Sequence, residues 1–175
     1  INHLVIKGSG NQKLLSSSFD KEPSEVLVNE IKDNSCKKTC NLQGDINNVT
    51  IRFKNKIKSC YSMFYELSNI SEIDLSNFDF SEVTTMEKMF YKCLQLENIN
   101  FGNINTSSVT SMYYLFRECS NLNSINLSNF NTSKVINMCR VFQDCSKLKY
   151  LDLLNFDTSQ VTNMNGMFYG CSNLK

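Results

Sequence analysis

The residues of this chain best suited to chemistry are its eight cysteines. Four of them, Cys93, Cys119, Cys145 and Cys171, end the similar segments MFYKC, LFREC, VFQDC and MFYGC at a constant 26-residue spacing. A zinc site needs tight clusters such as C-x2-C pairs, which this spacing does not offer. Disulfides between neighbouring copies would close only short loops. We therefore expect these four cysteines to be core thiols.

The cysteines outside this column differ from it. Cys36 and Cys40 lie in the lysine-rich segment CKKTC. A disulfide between them, a bond to another partner and two free thiols all remain open. Cys139 occupies a position where the other copies carry a different residue type, and we expect it to be a partly exposed thiol.

Catalytic groups are scarce. The single histidine, His3, lies near the start of the sequence, so a Cys–His or Ser–His pair would have to be built there. Asp74 and Asp152 occur at the same position of different copies. At roughly 4.8 Å per strand they would lie about 14 Å apart, beyond the ~5–9.5 Å between the carboxylates of glycosidases. We expect no catalytic residues, no cofactor and no metal site, and hence no enzyme.

The same 26-residue period governs most of the chain. Full copies cover residues 70–95, 96–121, 122–147 and 148–173, and residues 44–69 form a divergent leading copy. A fixed period of this size is typical of a solenoid, whose units bury their apolar faces against one another. The sequence ends as another copy would begin, so we expect the array to continue beyond residue 175. Six columns are identical in all four full copies: Asn77/103/129/155, Ser81/107/133/159, Val83/109/135/161, Met86/112/138/164, Phe90/116/142/168 and the cysteine column.

Each copy has three predicted parts. It opens with an alternating segment such as EIDL, which predicts a short strand with Ile73 and Leu75 inward and Asp74 outward. A turn rich in Asn, Asp and Ser follows. Val83, Met86, Phe90 and Cys93 then recur at helical spacing behind the candidate N-cap Ser81. The predicted fold is thus an α/β repeat solenoid, leucine-rich-repeat-like, with short parallel strands and one short helix per 26-residue coil.

Residues 1–45 differ from the array. The segments 2–10, 24–31 and 48–53 predict short strands separated by turn residues. We expect residues 1–45 to form a β-rich N-terminal cap and residues 46–175 to form the solenoid.

The pattern LSNFNTSKVINMCRVFQDCSKLKYLDL closely resembles the 26-residue repeat of the BspA-like leucine-rich-repeat surface proteins. The resemblance covers residues 70–174 at all signature positions and residues 44–69 more loosely. It implies a leucine-rich-repeat-like solenoid at the cell surface or outside the cell, with adhesion or protein binding as its role. It implies no catalysis and names no partner.

Composition agrees with a soluble, ordered chain. Of its 175 residues 41% are hydrophobic and 20% are charged, and the net charge is +1. No large basic patch follows, so nucleic acid is not an expected partner. No run of 18 apolar residues occurs, so no membrane insertion is expected within this segment, and no signal peptide is recognisable.

The outward strand positions are the candidate binding face. They would form columns on a rigid surface, which loses little ordering entropy on binding. We expect a noncatalytic module that binds a protein or glycoprotein in adhesion or recognition, or alternatively a structural subunit that packs into an assembly through its ends and edges. The backs of the predicted helices form a competing candidate for the binding surface. They carry Lys88, Tyr113, Tyr114 and Arg140. The candidate face residues are Glu72, Asp74, Glu97, Asn98, Asn100, Asn123, Asn126, Lys149, Tyr150 and Asp152.

Overall fold

The computed structural model describes residues 2–175, without the side chains of Asp45 and Ile46. Ile1, the first residue of the predicted cap, lies outside the described residues. Six strands form one sheet in the order β3-β2-β4-β1-β5-β6. Their bounds are β1 Asn2–Lys13, β2 Glu25–Val28, β3 Ile31–Lys32, β4 Thr39–Phe53, β5 Glu72–Asp74 and β6 Asn98–Asn100.

The long antiparallel pair β1–β4 forms the centre of the sheet. Leu4 lies opposite Ile51 and Ile6 opposite Val49, and all four side chains are buried. The alternating apolar residues of both strands therefore face the same core. β4 continues without interruption across the predicted boundary between residues 45 and 46.

The N-terminal strands and the repeats share this sheet. β1 pairs antiparallel with β5, where Ile6 lies opposite Ile73. β5 then pairs parallel with β6, where Ile73 lies opposite Ile99. As predicted, Ile73 and Leu75 are buried. The sheet is mixed because the N-terminal strands β1 to β4 pair antiparallel, whereas the repeat strands β5 and β6 pair parallel.

The predicted α/β leucine-rich-repeat solenoid is wrong. Residues 2–175 contain no helix, and their named strands form a mixed β-sheet. Val83, Met86, Phe90 and Cys93 are fully buried, as expected of the apolar face, but they do not lie on a helix. Ser81 caps no helix either. Its backbone N–H donates to Oδ1 of Asp79 at 2.9 Å.

Overlapping turns take the place of the predicted helix. Backbone N–H groups of Met89, Tyr91 and Cys93 each donate to the carbonyl three residues earlier. Lys88 and Lys92 have left-handed backbone, with φ of 55° and 61°, which suits the third residue of a type II turn. Such turns return side chains to the same side every three or four residues, so they mimic helical spacing.

Backbone bonds also join successive copies. Met86, Phe90 and Lys92 donate their N–H groups to carbonyls of the corresponding turns in the next copy. The phenylalanine rings stack along the same direction, with centroid distances of 5.3, 5.4, 5.5 and 5.9 Å between Phe64, Phe90, Phe116, Phe142 and Phe168. Each copy thus satisfies its turn backbone and buries its rings against its neighbours.

Candidate binding face

Strands β5 and β6 hold four of the predicted face residues in register. Glu72 lies opposite Asn98, and Asp74 lies opposite Asn100. On the other side of β5, Lys7 of β1 lies opposite Glu72, and its Nζ is 2.5 Å from Oε2 of Glu72. Their side chains project from the sheet on the side opposite buried Ile73.

The column of Asp74 forms a repeated turn. Oδ1 of Asp74 accepts a hydrogen bond from the backbone N–H of Ser76 at 2.8 Å. The same bond recurs at the equivalent residues Asn100, Asn126 and Asp152, at 3.0 Å each. These side chains therefore shape the strand ends as well as facing outward.

Asp74 is held in its ionised form. Burial raises the pKa of Asp74, but the hydrogen bonds donated by Ser76 and Asn100 outweigh burial, so this pKa lies below its ordinary value. Nδ2 of Asn100 donates to Oδ2 of Asp74 at 3.2 Å. The carboxylate thus links two copies across the face.

A cleft of about 550 Å³ opens on this face. The turn Asn29–Glu30 between β2 and β3 lines one wall, and β5 and β6 line the other. Both turn residues have left-handed backbone, with φ of 49° and 70°. Asn29 fixes the turn, since its Nδ2 donates to Oδ1 of Asn47 at 2.9 Å and its Oδ1 accepts from the N–H of Asn48 at 3.0 Å.

The structure separates the ten predicted face residues into two groups. Glu72, Asp74, Asn98 and Asn100 come together at the cleft. The other six are exposed on the copies around and beyond it: Glu97, Asn123, Asn126, Lys149, Tyr150 and Asp152. Tyr150 pairs with Ser124 in an isolated parallel bridge, and its side chain is 65% exposed.

Several cleft residues escaped prediction. Val5, Lys7, Asn48 and Thr50 also line the cleft, as does the Asn29–Glu30 turn. They come from strands far apart in sequence, which only the β1–β4 and β1–β5 pairings bring together. Asn at a two-residue hairpin turn was the one local signal that could have located part of this wall.

The repeat cysteines are buried hydrogen-bond donors. Sγ of Cys93 lies 3.0 Å from the carbonyl oxygen of Phe64. Burial raises the pKa of Cys93 to about 12, so a thiolate does not form near neutral pH. Cys171 is only partly buried. Cys139, expected to be partly exposed, is buried with 9% exposure.

The remaining pair is bonded. Cys36 and Cys40 form a disulfide. A carboxylate oxygen of Asp33 and the two sulfurs lie within 4.8 Å of one another. Thiolate ligation of a metal there would require the disulfide to be reduced first.

On the competing surface, which is formed by turns and not by helices, the side chains contact one another. Nη1 of Arg140 donates to the hydroxyl of Tyr114 at 2.8 Å, and Arg117 lies 4.6 Å from the centroid of the same ring. Tyr113 stacks on Tyr114 at 3.8 Å. The hydrogen bond between the two hydroxyls raises the pKa of Tyr113 to about 12. These contacts fix the side chains around Tyr114 on this surface, which is called the turn surface below.

Comparison with known proteins identifies a family that matches the chain. No curated protein sequence and no solved structure matches the chain. No helix within residues 2–175 has the length and apolar character needed to cross a membrane. One family, described as "Mycoplasma protein of unknown function, DUF285", matches residues 58–175. Because that match covers more than half of the sequence, the chain belongs to this family.

Proposed function

We propose that the chain is a noncatalytic protein-binding module that recognises a protein or glycoprotein through the candidate binding face. The observation that carries the proposal is the cleft, where Glu72, Asp74, Asn98 and Asn100 meet the Asn29–Glu30 turn. A concave site with convergent polar groups is where binding is most often found.

The rigidity of the face supports this role. Asp74 and Asn100 are fixed by bonds to the backbone and to each other. Lys7 holds Glu72. A partner therefore meets side chains that are already ordered, which lowers the entropy cost of association. Tyr150 adds an exposed aromatic side chain of the kind that often dominates binding energy.

The disulfide supports a location outside the cell or on its surface. Disulfides persist in oxidising compartments and are rare in the reducing cytosol. The bond joins Cys36, which precedes strand β4, to Cys40 within that strand. We therefore propose that the module belongs to a secreted or surface protein.

A capture experiment tests the proposal. The chain is immobilised and exposed to cell-surface and extracellular-matrix proteins, and bound proteins are quantified by mass spectrometry. We expect a defined set that Asn98→Arg and Tyr150→Ala both deplete. Tyr169→Ala is the matched control, because Tyr169 is similarly exposed but lies on the turn surface. A set retained equally by all variants would contradict the proposed face.

A further inference from the structure

A second cleft lies where β1 begins and β4 ends. Its volume is about 580 Å³. Asn2, Arg52, Lys54 and Lys56 line it together with two carboxylates, Glu25 and Asp79. None of the ten predicted face residues is among its described lining residues, so it is distinct from the candidate binding face.

Asn2 places an unpaired hydrogen-bond donor in the lining of this cleft. Its side chain is buried, with 8% exposure. Oδ1 accepts from the backbone N–H of Asp79 at 2.8 Å, which fixes the orientation of the amide. Nδ2 has no partner among the described residues. A buried donor left without an acceptor costs free energy, so this group favours a ligand that carries acceptor atoms.

Arg52 brings a second such donor. Its Nη1 is committed to Oε2 of Glu25 at 2.6 Å, and this bond holds the guanidinium in place. Its Nε is buried and has no partner within residues 2–175. The planar guanidinium can donate from Nε in addition to Nη1, so Arg52 can serve Glu25 and a ligand together.

The charge balance of the cleft favours an anion. Glu25 is paired with Arg52, and Asp79 is paired with Lys56 at 3.2 Å. Lys54 has no ion-pair partner among the described residues. The lining thus keeps one uncompensated positive charge beside two unpartnered N–H donors.

We propose that this cleft binds an oxyanion, a carboxylate or phosphate-type group whose oxygens accept from Asn2 and Arg52 and whose charge is balanced by Lys54. A free small anion and the acidic side chain of a polypeptide share this chemistry. The cleft goes beyond the proposed protein-binding function, because it lies on other residues and has its own ligand class.

Thermal unfolding of the 175-residue chain, titrated at constant ionic strength, tests the site. The probes are inorganic phosphate, sulfate and the blocked peptide Glu-Glu-Glu, with chloride as the reference. A ligand that binds only the folded state raises the unfolding midpoint in a saturable way. Saturation by phosphate or sulfate identifies a small-anion site, and stronger saturation by the peptide identifies an acidic side chain.

Three variants locate the effect. Asn2→Asp keeps the acceptor for Asp79 but replaces the free donor by an oxygen, and we expect binding about tenfold weaker or lost. Lys54→Gln should weaken binding about threefold. Lys58→Gln, the same charge change outside the cleft, should leave it unchanged. No saturable midpoint shift with any probe, or an equal loss in Lys58→Gln, would overturn the proposal.

Discussion

Cys119 donates its thiol hydrogen to the carbonyl oxygen of Phe90, with 3.1 Å between sulfur and oxygen. The same bond joins Cys93 to Phe64, Cys145 to Phe116 and Cys171 to Phe142, always across 29 residues. The repeat therefore uses a cysteine as a small buried donor between neighbouring copies. No nucleophile or metal ligand is needed to explain its period.

Thiol labelling of the native protein should show this directly. We expect Cys93, Cys119 and Cys145 to resist an aromatic disulfide reagent, because each is fully buried and burial raises its pKa. Cys171, only half-buried, should react first among the column cysteines. In denaturant without reductant the six free cysteines should all react. Rapid native labelling of the three buried column cysteines would refute the buried-donor role.

The left-handed turn residues offer a stability test. Lys88 has left-handed backbone, with φ of 55°. In the last copy the same position is a glycine, Gly166, with φ of 63°. Left-handed backbone costs a residue with a Cβ about 1 kcal/mol relative to glycine. In urea denaturation, Lys88→Gly should therefore be about 1 kcal/mol more stable than Lys88→Ala.

The alanine variant is the control for the lost cation–π contact of Lys88 with Tyr61, 5.7 Å from the ring centroid. Both variants lose that contact, so the difference between their free energies of unfolding reports the backbone conformation alone. Equal stability would mean that the turn does not persist in solution.

Stability should fall in acid for a defined reason. The hydrogen bonds from Ser81, and Lys56 beside them, hold the pKa of Asp79 below its ordinary value. Ser159 lowers the pKa of Asp157 in the same way. A carboxyl group with a depressed folded-state pKa stabilises the fold above its unfolded pKa of about 3.9, and this contribution disappears as pH falls through the folded value.

Asp79→Asn should flatten the acid part of the curve. Asn105 and Asn131 accept the same backbone bond at the equivalent positions, so the variant keeps the turn bond. It loses the titrating carboxylate and the ion pair of that carboxylate with Lys56. The free energy of unfolding, measured in urea between about pH 2 and pH 6, should depend less on pH than in the wild type. An unchanged slope would show that Asp79 is not held ionised by these bonds.

The sequence allowed the burial pattern to be predicted but not the backbone that produces it. Val83, Met86, Phe90 and Cys93 were expected on one buried face, and all four are buried. Their intervals of three and four residues fit a helix and a run of overlapping turns equally well. The choice between helix and turns depends on the backbone hydrogen bonds. Several of these bonds run to the next copy, and a local sequence pattern does not reveal them.

The candidate binding face, like the fold, could be predicted only in part. Alternation within a copy placed Glu72, Asp74, Asn98 and Asn100 on the outside. The opposite wall of the cleft, at Asn29 and Glu30, depends on pairing between strands that lie far apart in the sequence. Such pairing is a tertiary property, since strand propensity alone does not select the partner.

The most direct test of the proposed function is hydrogen exchange on the chain, alone and in complex with the protein it captures most strongly. We predict that protection on binding concentrates in residues 29–30, 72–76 and 98–102, around the cleft, and is lost in the Asn98→Arg variant. Protection concentrated in residues 86–92 and 112–118, on the turn surface, would contradict the account.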